Sequence, residues 1–169
     1  MSVLDVNLED RAALEVALPA LMIVAGELAE KAGELLIFGK FDLTVAKYGL
    51  LTSLAHVGRP LSMTDLKESA MLPRSASHMT QMVDDLEARG LVRRLASPSD
   101  RRVWMIEITD AGRALLTAVD EQYAATMRSE STGYSTEDLR VTVEVLRRFI
   151  IEAAAEVGLD LGKMQHEPR

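Results

Sequence analysis

Between Leu43 and Leu116 the chain lays out a sequence of parts that few folds can accommodate. Met79, Met82, Val83 and Leu86 fall at i, i+3, i+4 and i+7, which predicts one buried helix face. The opposite face holds Ser77, Gln81, Asp84 and Ala88, flanked by His78, Thr80 and Asp85. Gly90 supplies a left-handed stop. Leu91 to Leu95 and Val103 to Ile108 then read as two strands, with Trp104, Ile106 and Ile108 on one side of the second. Ser97-Pro98-Ser99-Asp100 between them is turn chemistry. Upstream, Thr44 caps a helix with Tyr48, Leu51, Leu54 and Ala55 on its buried side, and Gly58-Arg59-Pro60 breaks it. Ser62 caps a short helix with Asp65 at its third position; Met71-Leu72-Pro73-Arg74 turns the chain, and Ser75 caps the next helix. The order is a helix-turn-helix followed by a two-stranded wing.

Long helices flank this segment. Leu8 to Phe38 carries an apolar stripe of Leu14, Leu18, Leu21, Ala25, Leu28 and Ala32, with Pro19 inside as a potential kink and Gly39 as the stop. Thr109 caps a helix to about Arg128, the polar Ser129–Ser135 stretch breaks it, and Thr136 opens a last helix striped by Val141, Val145, Phe149 and Ala153. Aromatics are only 4% of the chain, so the core is aliphatic and favours helices. The fold class expected is mainly α with a small β-wing. A winged helix-turn-helix occupies residues 41–116, between helical regions at 1–40 and 117–169.

Several function classes are disfavoured. The chain has no cysteine, so thiol catalysis, disulfides and cysteine-held metal or iron–sulfur sites are excluded. His56, His78 and His166 make no i,i+4 pair and sit in no ligand cluster, so no metal site is expected. The nine methionines read as core filler. No Gly-rich phosphate loop, HExxH or GxSxG occurs, and Asp84 and Asp85, adjacent on a helix, point about 100° apart and cannot face one substrate. Neither an enzyme nor a cofactor is expected. Met1 to Asp10 carries three acids and no base, unlike a secretory signal, and there is no run of 18 apolar residues. A cytoplasmic protein without a membrane span is expected.

The net charge of −7 is unevenly spread. Arg59 to Arg113 holds nine Lys/Arg and eight Asp/Glu, leaving ten bases and eighteen acids elsewhere. From Arg89 to Arg102 five arginines stand against Asp100 alone, a local basic patch suited to duplex DNA. A helix in the major groove meets base edges with its N-terminal half, which makes Ser77, His78, Thr80 and Gln81 the candidate base-reading residues. Gln81 can pair two-pronged with adenine. Ser62, Arg74 and Ser75 are placed to contact the DNA backbone. Arg101 and Arg102 at the wing tip suit the minor groove, with Asp100 orienting a guanidinium. A second reading stays open at this point: a winged helix serving as a protein-interaction scaffold.

The segment resembles the MarR family of winged-helix regulators. The resemblance rests on Leu43-Thr44, the run Leu86-Glu87-Ala88-Arg89-Gly90-Leu91-Val92-Arg93-Arg94, then Pro98-Ser99-Asp100-Arg101-Arg102 and Ile108-Thr109-Asp110-Ala111-Gly112. It covers under half of the chain. It implies a homodimer whose dimerisation region is built from both chain ends. It also implies binding to a pseudo-palindromic operator on double-stranded DNA, usually as a repressor. In many members a small anionic or phenolic effector lowers DNA affinity. Two departures stand out. Pro73 occupies a turn that usually bears glycine, and Asp85 stands where relatives are often basic.

Overall fold

The computed structural model of the chain describes residues 4–69, 76–97 and 103–158. Its contacts divide the chain into two compact units, 1–45 and 46–169.

The first unit is dominated by α1 (Arg11–Leu36). Asp10 begins it by accepting a hydrogen bond from the Ala12 amide, so the helix starts after Leu8 rather than at it. It runs unbroken through Pro19. Pro19 and Glu15 are both exposed, so water can take the hydrogen bond that the proline cannot donate. The helix ends before Gly39, which lies within a 3-10 turn (Phe38–Phe41) closed by Asp42 in the left-handed conformation at φ 54°. Most of the expected stripe lies on the surface: Leu14, Leu18, Ala25, Leu28 and Ala32 are exposed. By length and composition α1 is also long and apolar enough to cross a membrane. A count of strictly consecutive apolar residues overlooks this, because scattered carboxylates such as Glu15 and Glu27 interrupt the run.

The second unit holds α2 (Val45–Val57), β1 (Leu61–Ser62), α3 (Met63–Ser69), α4 (Ala76–Ala88), β2 (Val92–Ala96), β3 (Trp104–Ile108), α5 (Asp110–Glu130) and α6 (Thr136–Glu156). Of the residues that the spacing puts on the inner side of α2, Leu51 and Leu54 are buried, together with Ala46 and Leu50, whereas Tyr48 and Ala55 are half-exposed. The Tyr48 hydroxyl instead donates to Asp120 Oδ1 of α5 (2.8 Å). Burial and that carboxylate push the phenol pKa up to about 12.

The sheet has three antiparallel strands in the order β1-β3-β2, one more than the two-stranded wing expected. Leu61 pairs with Ile106 and Ser62 with Met105. A two-residue strand has no alternation to betray it in sequence; it exists because β3 offers it an edge. Val92 faces Ile108 across the hairpin, and Ala96 faces Trp104. Val92, Ile106 and Ile108 are buried on one face, while Trp104, on the same face but at the hairpin's outer end, is 53% exposed.

Two junctions fix the order of elements. At the end of α4, Gly90 adopts φ 68°, its amide donates to Glu87 O (2.8 Å), and the Leu91 amide donates to Leu86 O (2.9 Å). This is a Schellman closure, and its accompanying apolar pair, Leu86 and Leu91, is buried. At the start of α5, Thr109 accepts from the Gly112 amide (3.1 Å), its hydroxyl donates to Gly90 O (2.7 Å), and its own amide donates to Leu91 O (3.0 Å). α6 opens at Thr136, as expected, and is capped by Ser135, which forms a reciprocal capping box with Asp138. The two hydrogen bonds from Ser135 hold the Asp138 carboxyl below its ordinary pKa.

Gly112 is required by this second junction. A Cβ there would lie 2.2 Å from the Leu91 carbonyl oxygen and 2.8 Å from Ile108 Cγ1, so backbone would have to move. Gly112→Ala is expected to destabilise the fold by about 2 kcal/mol through overpacking, measured as a lowered denaturation midpoint. An unchanged midpoint would show that the α5 start is free to shift.

Candidate nucleic-acid interface

The described part of the site is built on α4. Its inward stripe of Met79, Met82, Val83 and Leu86 is 0–4% exposed, as the spacing predicts. Burial of each such side chain is worth roughly 2 kcal/mol. With that side inside, Ser77, Thr80, Gln81, Asp84 and Ala88 are left exposed, and His78 and Asp85 are half-buried. The four candidate base-reading residues thus sit together in the first half of one helix, on or beside its outer face. Ser62 lies at the head of α3; its hydroxyl accepts from the Asp65 amide (3.1 Å) and donates to Asp65 Oδ2 (2.9 Å). That donor is engaged in the cap. Arg74 and Ser75 lie outside the described residues, as do Asp100, Arg101 and Arg102 at the wing tip. The hairpin that leads to the tip is described up to Ser97, whose amide donates to Val103 O (3.0 Å).

The electrostatics depart from the linear charge count. Arg94 shares a strand face with Val92 and with its cross-strand neighbour Ile106, and from there it reaches α4. Its Nη1 lies 2.5 Å from Glu87 Oε2 and its Nη2 2.5 Å from Asp84 Oδ1, while its amide donates to Glu87 Oε1 (3.0 Å). Burial pulls the Arg94 guanidinium down, but the bonds to Asp84 and Glu87 outweigh it and hold its pKa above the ordinary value. Arg93, on the other face, pairs with its cross-strand neighbour Glu107 at 2.5 Å. Two of the five arginines counted as a basic patch therefore meet carboxylates supplied from elsewhere in the chain. Sequence distance hid those partners; the strand register and the helix–strand packing supply them. Asp85 is engaged as well. Its buried Oδ2 accepts no directed hydrogen bond, yet Lys47 Nζ of α2 lies 2.7 Å away as an ion pair.

Among the described residues no group of three or more His, Asp or Glu side chains could hold a metal ion. What the arrangement offers chemically is a helix with a rigidly buried back, a front of hydroxyl, amide and imidazole groups, and a hairpin beside it. Those groups donate and accept hydrogen bonds, which suits contact with base edges.

Comparison with known proteins agrees with this architecture. A sequence model of the MarR family matches residues 43–104. The transcriptional regulator MhqR of Bacillus subtilis is 34% identical over 115 residues, 68% of this chain and 77% of that protein. PecS of Dickeya dadantii is 29% identical over 102 residues, 60% of this chain. The match spans 61% of PecS and 63% of the Bacillus subtilis regulator YdgJ, less than two thirds of either. Among solved structures, apo MarR from E. coli superposes with a TM-score of 0.69 at 20% identity, over 78% of this chain and 95% of that one. A mutant MarR from E. coli complexed with operator DNA superposes at 0.66 and 19% identity, over 83% and 98%. The PcaV regulator of Streptomyces coelicolor, solved with its natural ligand, superposes at 0.67 and 19% identity, over 83% and 96%. At these identities the structural likeness shows the winged-helix fold.

Proposed function

The chain belongs to the MarR family, and on that premise we propose that it is a DNA-binding transcriptional regulator, a repressor acting as a homodimer on a pseudo-palindromic operator. The observation that carries the reading is α4: an inner side fully buried, and an outer side bearing Ser77, Thr80 and Gln81 beside a two-stranded hairpin. His78 stands beside them, half-buried. In this reading the four residues meet base edges in the major groove. Arg74, Ser75 and the start of α3 at Ser62 meet the sugar-phosphate backbone. Arg101 and Arg102 enter the minor groove, with Asp100 orienting one of them. Two-fold symmetry would set two α4 helices in successive major grooves, ~34 Å apart.

The homodimer is supported by the exposed apolar faces of α1 and α6, where Leu28 is 60% and Val143 61% exposed. Apolar surface of that kind is covered in solution by a partner. Release by a small aromatic or anionic effector fits the family; such a ligand acts by preferring a spacing of the two α4 helices that does not fit DNA. PcaV, solved with its natural ligand, is similar in fold. The regulator works where the chromosome is, in the cytoplasm, and needs no catalytic group.

The test is binding of the purified chain to duplex from its own upstream region against scrambled duplex, at two salt concentrations. Preferential, salt-sensitive binding as a dimer is expected. Equal, weak binding to both would favour a protein-interaction scaffold. Arg102→Ala should weaken binding and flatten its salt dependence, because one fewer charge displaces counterions; an unchanged slope would remove the wing from the interface. Gln81→Ala should relax base preference at one position of each half-site, where the lost contact is worth about 1–3 kcal/mol. Equal loss on every sequence would make Gln81 a backbone contact instead.

A further inference from the structure

Three carboxylates stand in the second half of α4: Asp84, Asp85 and Glu87. On a helix that approaches DNA they oppose affinity, since each repels phosphate. They contribute little to stability either. The pairs they form are partly exposed, with Asp84 and Asp85 side chains about half accessible, and such pairs are worth little by themselves. Their geometry is what distinguishes them. Asp84 and Asp85 are neighbours, so they leave the helix about 100° apart. Each is gripped by a base from a different element: Asp84, together with Glu87, by Arg94 of β2, and Asp85 by Lys47 of α2. The gripping side chains are themselves three-quarters or more buried, Arg94 at 25% and Lys47 at 21% accessible, so they are anchored rather than waving in solvent.

An apolar stripe such as Met79, Met82, Val83 and Leu86 holds a helix against an interior without direction. It resists separation more than roll about the helix axis. Two charged anchors set about 100° apart, one of them the forked Arg94, oppose that roll. The stakes are set by lever arm. With side chains reaching roughly 6 Å from the helix axis, a roll of about 10° moves a tip by about 1 Å. A hydrogen bond tolerates only about half an ångström between its short and long limits. Gln81 lies one turn before Asp84 and Asp85 and shares the exposed side with Asp84.

Resting on the DNA-binding reading above, we propose that Arg94 and Lys47 are positioning residues that brace α4 against roll through Asp84 and Asp85. They set how sharply the chain discriminates between DNA sequences. The carboxylates give up affinity on all DNA and in return fix the register of Ser77, His78, Thr80 and Gln81.

The experiment uses the full chain and a duplex that the wild type enriches from a random-sequence pool, with a scrambled duplex beside it. Asp84→Asn with Asp85→Asn should raise affinity for the scrambled duplex and cut the ratio of enriched to scrambled affinity by roughly tenfold, with the melting temperature little changed. Lys47→Gln, which removes only the pair with Asp85, should cut the ratio in the same direction. Arg94→Lys keeps the charge but cannot fork to Asp84 and Glu87 together, so it should fall between wild type and the double variant. A ratio unchanged in both the double variant and Lys47→Gln would overturn the brace while leaving the regulator intact. So would a lowered melting temperature with an unchanged ratio, the mark of a merely structural pair. If the wild type enriches no sequence at all, the DNA-binding reading falls, and the brace with it.

Discussion

The backbone carbonyl of Leu91 is where the ordered core of the second unit is joined. Leu91 ends the Schellman closure of α4 and leads directly into β2. Its oxygen accepts from the Thr109 amide at the exit of β3, and it packs so closely on Gly112, in the first turn of α5, that a side chain there would force the backbone to move. One peptide group thus relates a helix end, the base of a hairpin and the start of the next helix. Errors in this joint would pass outward in both directions, to the exposed face of α4 and to the hairpin. That explains why Gly90, Thr109 and Gly112, three residues with little side chain between them, carry so much of the local design.

Around this joint the charges are arranged in pairs rather than in a patch. Arg93 meets Glu107 across the hairpin, Arg94 meets two acids of α4, and Lys47 meets Asp85. In water such pairs contribute modestly, and beside a polyanion they matter differently. A paired guanidinium does not draw phosphate as a free one would, so the affinity of the proposed regulator for DNA must rest more heavily on groups outside these pairs. The acidic remainder of the chain pushes the same way, against indiscriminate coating of DNA. A low general affinity is what allows a small number of base contacts to decide where a protein sits.

Much of this was legible in the sequence where the signal is local. The i, i+3, i+4, i+7 spacing of Met79, Met82, Val83 and Leu86 named the buried side of α4, and by subtraction the exposed side with Ser77 and Gln81. Gly90, with a conformation that an L side chain resists, marked the helix end, and Thr109 marked the next start. What was not legible depends on partners far along the chain. β1 is two residues long and exists only because Ile106 and Met105 receive it. Arg94 reads as surface charge until the register puts it on the face that looks toward α4. Leu14, Leu18 and Leu28 read as an apolar stripe, and periodicity reports that a face is apolar and not what covers it.

That last point bears on α1. At about 100° per residue, Leu14, Leu18, Leu21, Ala25, Leu28 and Ala32 fall within one narrow stripe, whereas Glu15, Glu27, Glu30, Lys31 and Glu34 lie away from it. The side opposite the stripe is mixed: Val16 and Ile23 stand there among the charges, 78% and 66% exposed. The longest uncharged stretch, from Val16 to Gly26, spans only about 16 Å as a helix, roughly half of the hydrocarbon core it would have to cross. In the proposed homodimer a second copy of the chain covers this stripe.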